Sequence, residues 1–197
     1  GNSLLVHSAG GGVGIAAVQI ARARGARVLG IASPRKHEFL AGLGVEHCID
    51  SAEEAFHKRV MERTKGRGVD LAIDFNGGSS FRRSFEALGP TGRLAMSGIA
   101  SAVAGKKSTK LAYLRMALTL PGFRFTPPVL MNANKGVFGV NLGRLWDQPE
   151  MVAAWMRDIL AGYVAGELRP VIAETFPFTE AAAAHHYIQD RKNLGKV

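Results

Sequence analysis

The segment Ser8-Ala9-Gly10-Gly11-Gly12-Val13-Gly14 constrains this chain most, because so many glycines in one stretch call for a tight turn and close backbone packing. Just before it, Ser3 to His7 (SLLVH) is a short apolar run. Just after it, Val13, Ala16, Ala17, Ile20 and Ala21 recur at helical spacing. The order is therefore strand, turn, helix. Gly25 stops the helix and Ala26 to Ile31 (ARVLGI) reads as a second buried strand, completing a right-handed parallel unit of about 30 residues.

The same rhythm repeats. A helix is expected from Pro34 to Ala41, a strand at His47 to Ile49, a helix from Ala52 to Arg63 and a strand at Val69 to Asp74. A helix near Ser79 to Leu88, the turn Gly89-Pro90-Thr91-Gly92 and a strand at Arg93 to Met96 extend the alternation. Such an order predicts an α/β fold, a doubly wound parallel sheet of the Rossmann type with helices on both faces. Past Gly98 the pattern changes. A basic linker at Lys106, Lys107 and Lys110 precedes an amphipathic helix at Leu111 to Leu120, and the paired Pro127 and Pro128 place the next, β-leaning stretch at a sheet edge. A helix at Pro149 to Tyr163, a strand in VIAETF, a short helix at Thr179 to Gln189 and the fragment Gly195-Lys196-Val197 follow.

Composition narrows the function classes. With 197 residues, 47% of them hydrophobic, the chain can bury one substantial core and is too apolar for disorder. No apolar run reaches the roughly 18 to 20 residues of a membrane span. The longest candidate is broken by Arg115, Pro121 and Arg124, and no leader-like order of basic then apolar residues stands at Gly1. The single Cys48 leaves no internal disulfide and no thiolate cluster for structural zinc, so a reducing, cytoplasmic setting is expected. His185 and His186 are adjacent on a helix and diverge by about 100°, a poor geometry for sharing one ion. Surface or satisfied polar roles are expected of all six histidines. The net charge of +9 suits nucleic acid, an anionic membrane or an anionic cofactor alike. Its cations, among them Arg22, Arg24, Arg27, Arg59, Arg63, Lys65 and Arg67, are scattered over helix ends and turns without interleaved aromatics, as on a solvated surface.

The glycine loop stands where a dinucleotide fold needs it. Gly11 and Gly12 allow a backbone to approach a pyrophosphate, Val13 opens the helix whose N-terminus supplies N–H donors, and Gly14 permits close packing of helix on strand. The second strand ends Gly30-Ile31-Ala32-Ser33-Pro34-Arg35-Lys36, without the carboxylate that would grip both ribose hydroxyls of NAD. Ser33 can hydrogen-bond a 2′-phosphate, and Arg35 or Lys36 can neutralise it, so NADP(H) is the expected cofactor. Asn76, Gly77 and Gly78 follow the fourth strand, and Ser97 and Gly98 the fifth. Both groups fall on the carboxyl edge, where they are expected to line the ribose and nicotinamide.

SLLVHSAGGGVG with the helix AAVQIARARGARV resembles the medium-chain dehydrogenase/reductase superfamily, specifically its zinc-free quinone oxidoreductases, whose loop carries A-x-x-G-x-x-G. Ser8 occupies the alanine position, and Gly11 and Gly14 match. VDLAIDFNGG looks like the family's fourth strand, LGPTGRLAMSG its fifth and RKNLGKV its C-terminal signature. NKGVFGVNLG and LRPVIAETFPF look closest to the branch of the vesicle amine transport proteins. The resemblance implies an NADP-binding Rossmann domain over residues 1–168. It also implies that a segment over 169–197 belongs to a GroES-like catalytic domain not present in this sequence, and is loosely anchored without it. It implies a hydride-transferring quinone or enone reductase that pairs as a homodimer through an edge strand near Phe123 to Val140. Phe138 and Val140 would pass the nicotinamide ring, or else pack in that interface. Ser51 takes the place where relatives often carry a tyrosine after the third strand.

Rival classes fit less well. No serine lies in G-x-S-x-G, and Gly14 is not followed by the Lys-Ser or Lys-Thr of a phosphate-hydrolysing loop. The alternative that stands is a binding module without chemistry, a cofactor sensor or a nucleic-acid binder. Its affinity for nucleic acid would fall steeply with salt, as binding through neutral backbone donors would not.

Overall fold

A computed structural model describes residues 1–98 and 125–197, so the basic linker and the helix expected at Leu111 to Leu120 lie outside the described residues. Six strands form one parallel sheet: β1 (Ser3–Val6), β2 (Arg27–Ala32), β3 (His47–Asp50), β4 (Val69–Asp74), β5 (Leu88–Met96) and β6 (Gly136–Gly139). Their spatial order is β3-β2-β1-β4-β5-β6. The chain thus winds outward from β1 in both directions and reverses between β1 and β4, the switch point at which open α/β sheets bind ligands.

Burial on both faces explains why the strands read as unbroken apolar runs. Leu4, Val6 and Val28 pack on one face with Val18 and Ala21 of α1 (Gly12–Ala23) and Leu40 of α2 (His37–Gly42). Leu5, Leu29, Ile31 and Leu94 pack on the other with Phe56 and Val60 of α3 (Phe56–Arg63) and Phe85 of α4 (Ser79–Glu86). Adjacent residues such as Leu4 and Leu5 supply opposite cores, as the two-residue period of a strand requires.

Three expectations change on inspection. Pro127 and Pro128 open a helix, α5 (Pro127–Ala133), not an edge strand. At the first helical positions their missing N–H groups cost nothing and their fixed φ suits the helix, and Leu130 and Ala133 pack against the core. The Gly89-Pro90-Thr91-Gly92 turn lies inside β5. Val69 pairs with Leu88 and Leu71 with Arg93, so these four residues bulge out opposite Asp70 alone, with Thr91 at φ 62°. Helix α3 begins four residues later than expected, because Asp50 Oδ1 accepts from Ala52 N at 2.9 Å and holds the preceding residues in a turn.

Farther on, α6 (Pro149–Val164) has no buried residue and exposes Trp155, Ile159, Leu160 and Tyr163, and α7 (Ala181–Gln189) precedes the C-terminal segment. VIAETF contributes an isolated bridge, Ile172 to Lys196, in place of a full strand. The segment is held more firmly than expected. Gln19 of α1 exchanges two hydrogen bonds with the Arg169 backbone (2.9 and 2.6 Å), and Gly195 N donates to Gly10 O at 3.0 Å.

Gly14 sets the position of α1. A methyl group there would lie 2.3 Å from the Ser8 carbonyl oxygen and 2.7 Å from Ala9 Cα, both backbone atoms that cannot step aside. Gly42, in a helix and with open space around its Cα, makes the control. Gly14→Ala is expected to destabilise by about 1–3 kcal/mol and Gly42→Ala to stabilise by about 0.5–1 kcal/mol. Urea unfolding midpoints check both.

Candidate functional site

Every strand delivers its carboxyl end to one edge, and the loops start there by extending the ladder. His7 N donates to Ile73 O, Ala9 N to Ile31 O, Ser51 N to Ala32 O, Ser97 N to Asp74 O and Val140 N to Met96 O, at 2.9–3.0 Å. The residues singled out from the sequence therefore share this edge: Gly11, Gly12, Val13 and Gly14 after β1; Ser33, Arg35 and Lys36 after β2; Ser51 after β3; Asn76 and Gly77 after β4; Ser97 and Gly98 after β5; and Phe138 and Val140 at the end of β6.

At the switch point the chain turns sharply. Ser8 adopts φ 49° and its carbonyl accepts from Gly11 N at 2.8 Å. Gly11 caps α1 in extended geometry with no side-chain hydrogen bond to the helix, so the positive end of α1 faces the edge without an acidic or hydroxyl cap. Val13 on the first turn is 62% exposed.

The tip of β2 is cationic. Ser33 precedes a single 3-10 turn, Pro34–Lys36, with no carboxylate in it. The half-buried Lys36 ammonium donates to the Asn193 carbonyl, and the Arg35 guanidinium donates to the Arg191 carbonyl. Burial, then the charges of Arg35 and Arg191, hold Lys36 below the usual lysine range. Three cations, Arg35, Lys36 and Arg191, thus lie near one another after β2, two of them donating to neutral carbonyls. The Lys196 stem lies over Gly12, where the tail forms its bridge between Gly11 and Gly195.

Beneath the loop lies a buried polar cluster that sequence reasoning did not assemble. Asp74, fully buried at the end of β4, accepts from Asn76 N through Oδ1 (2.8 Å) and from Ser80 Oγ and Ser84 Oγ through Oδ2 (2.7 Å each). His7, 1% exposed, places Nε2 2.9 Å from Ser84 Oγ and Nδ1 3.1 Å from Asn76 Nδ2. Burial lowers the His7 pKa, and Asp74 partly opposes the shift. The available signal was a histidine ending an apolar strand, which must find polar partners once buried.

The family model described as zinc-binding dehydrogenase matches residues 12–157. The chain belongs to the zinc-binding dehydrogenase family. Over its full length it is 36% identical to the human synaptic vesicle membrane protein VAT-1 homolog and 30% identical to a Burkholderia 2-haloacrylate reductase. It spans about half the length of the curated relatives it matches, 50% of the first and 55% of the second. The quinone oxidoreductase of Pseudomonas syringae superposes on all of it with a TM-score of 0.79 at 26% identity, over 55% of that chain. The CurK enoyl reductase covers 99% of it with a TM-score of 0.76 at 30% identity, over 53% of that chain. A mycobacterial protein complexed with NADPH covers 98% of it with a TM-score of 0.78 at 25% identity, over 56% of that chain.

Membership in a zinc-binding dehydrogenase family raises the question of the metal. Among the described residues no group of three or more His, Cys, Asp or Glu could hold an ion, so these residues do not fit zinc. They do fit a dinucleotide, since the uncapped helix end, the glycine loop and the cationic β2 tip lie on one edge. No described helix is long and apolar enough to cross a membrane.

Replacing Asp74 tests how much the buried cluster supports this edge. Asp74→Asn turns an acceptor into a donor facing Ser80 or Ser84, and should cost about 1.5–3 kcal/mol, read from thermal and urea unfolding.

Proposed function

We propose that this chain is the NADP(H)-binding part of a zinc-free reductase that passes hydride to a small quinone or enone. The observation that carries the reading is the tip of β2, where Ser33, Arg35 and Lys36 stand in place of a carboxylate on the edge that holds the glycine loop. The nicotinamide, when bound, supplies the hydride. The protein's own work is to bind and orient. The α1 N-terminus and the Gly11–Gly12 backbone face the pyrophosphate, Lys36 and Arg35 the 2′-phosphate, and Asn76, Gly77, Ser97 and Gly98 the ribose and nicotinamide, with Ser51 at the adenosine end.

Residues 1–168 form the cofactor domain in this reading, and 169–197 belong with the acceptor-binding part of the longer relatives. Hydride transfer needs the acceptor held about 3 to 3.5 Å from the ring in a closed pocket, and in this reading the acceptor's contacts come largely from that other part. Setting the protein in the cytoplasm rests on the lone, half-buried Cys48.

NADPH should bind more tightly than NADH, and Lys36→Ala should cost about 1–3 kcal/mol against NADPH alone, measured by cofactor fluorescence. The preference should depend on pH at both ends. It grows as pH rises through the phosphate's second ionisation near about 6. It is lost as pH rises through the lowered Lys36 pKa, because the ammonium must be charged to hold the phosphate. Equal affinities for the two cofactors across that range would refute the assignment.

The same reading makes β6 a homodimer contact. It is the outermost strand on its side of the described sheet, and Phe138 beside its end is 45% exposed, Val140 42%. The interface is narrower than Phe123 to Val140, since α5 interrupts that stretch and Phe123 lies outside the described residues. Light scattering should give twice the chain mass, and Phe138→Glu should halve it. An unaltered monomer in both would exclude the contact.

A further inference from the structure

The glycine loop makes room for two lysines. A methyl group on Gly10 would lie 2.6 Å from Lys36 Cδ, and one on Gly12 would lie 2.4 Å from Lys196 Cδ and 3.2 Å from its Cγ. Each stem therefore crosses the loop where a glycine leaves space for it. Lys36, from the tip of β2, ends on the carbonyl of Asn193. Lys196, from the far end of the sequence, ends elsewhere. Two bonds of about 1.5 Å separate its Cδ from the ammonium, which therefore stays within about 6.5 Å of Gly12 Cα, at the first turn of α1.

The backbone fixes that placement. Gly195 N donates to Gly10 O at 3.0 Å, Lys196 N to Val171 O at 2.8 Å, and Ala173 N to Lys196 O at 2.8 Å. Gly195 stands at φ 92°, with the Val171 carbonyl oxygen 2.2 Å from where a Cβ would be, so a glycine is required there and the register of the tail is pinned. Set against the helix alone, the ammonium is electrostatically misplaced. It stands at the positive end of α1, where an anion is the favourable charge. The first turn of α1 carries no acid, and among the described residues no side chain or carbonyl pairs with the Lys196 ammonium. Ser8 to Gly14 includes no cation of its own. A pyrophosphate reverses the balance, because it takes N–H donors from the helix end and a charge-assisted bond from the lysine.

We propose that Lys196 is a binding residue for the pyrophosphate of the dinucleotide, supplying from the tail the cation that the glycine loop lacks. The proposal rests on the nicotinamide-dinucleotide reading of this edge. It divides the two lysines between the two anionic groups: Lys196 sets affinity for either nicotinamide dinucleotide, and Lys36 the choice between them.

The test measures binding of NADPH, NADH, ADP and 2′-AMP to wild type, Lys196→Met and Lys196→Arg, with urea unfolding of each. Methionine keeps an apolar stem on Gly12 and removes the charge; arginine keeps the charge. Lys196→Met should weaken NADPH, NADH and ADP alike, each about tenfold, and leave 2′-AMP, which has no pyrophosphate, within about twofold of wild type. Lys196→Arg should hold all four within about threefold. A folded Lys196→Met chain that binds ADP as tightly as wild type, or more tightly, overturns the proposal. So does one that loses 2′-AMP in the same proportion as ADP, or a folded Lys196→Arg chain as weak as the methionine variant. In each case wild-type binding of NADPH leaves the cofactor reading standing. A wild type that binds neither NADPH nor NADH overturns both.

A second measurement needs no variant. Acylation of surface lysines in the wild-type chain, followed by mass spectrometry, should show ADP slowing the reaction at Lys196 severalfold and leaving Lys58, exposed on α3, unchanged. The same concentration of 2′-AMP should slow neither. Lys196 acylated equally fast with and without saturating ADP, or protected as well by 2′-AMP, overturns the proposal.

Discussion

The contact between Gly14 and the backbone of Ser8 and Ala9 is the constraint on which the rest of the molecule depends. With no Cβ at position 14, α1 settles directly on the turn that leaves β1 and brings its uncapped N-terminus to the gap between β1 and β4. A side chain would lift the helix by the thickness of a methyl group, and both the dipole and the N–H donors would leave the edge. The left-handed Ser8 follows from the same requirement, because the chain must reverse within a few residues to enter the helix.

A parallel sheet then does the gathering. Residues far apart in sequence, such as Lys36, Asn76, Ser97 and Phe138, meet at one edge because each ends a strand or follows one. Charge is distributed along that edge by its loops. Arg35, Lys36 and Arg191 crowd one end, and the tail carbonyls that satisfy Arg35 and Lys36 are weaker partners than an ionised phosphate would be. The C-terminal segment is thereby tied to the part of the fold best suited to an anion, through Gly195 on Gly10 and Asn193 on Lys36.

Much of this was legible from local patterns. An apolar run leading into the glycine loop marked β1, an apolar run after Gly25 marked β2, helical spacing marked α1, and VDLAID coincides with β4, residue for residue. What was not legible depends on tertiary context. Paired prolines suit a sheet edge and a helix start equally well, and only the packing of Leu130 and Ala133 decides for the helix. The Gly89–Gly92 turn is locally a turn, but continued pairing on both sides makes it a bulge. At His7 the local pattern showed only a histidine ending an apolar run and in need of polar partners; which partners was not legible, because they stand 69 and 77 residues away. The hold of the tail on the glycine loop is of the same kind, joining residues at opposite ends of the sequence.

The claim at the centre is that the carboxyl edge of this sheet is where a nicotinamide dinucleotide phosphate binds. Backbone amide NMR of the chain during titration with NADPH tests it most directly. Shifts should concentrate at Gly11 to Gly14, Ser33 to Lys36, Asn76 to Gly77 and Ser97 to Gly98. Shifts confined to the open groove between α5 and the β5–β6 pair, where Thr91, Arg93, Leu130, Asn134 and Lys135 lie, would contradict it.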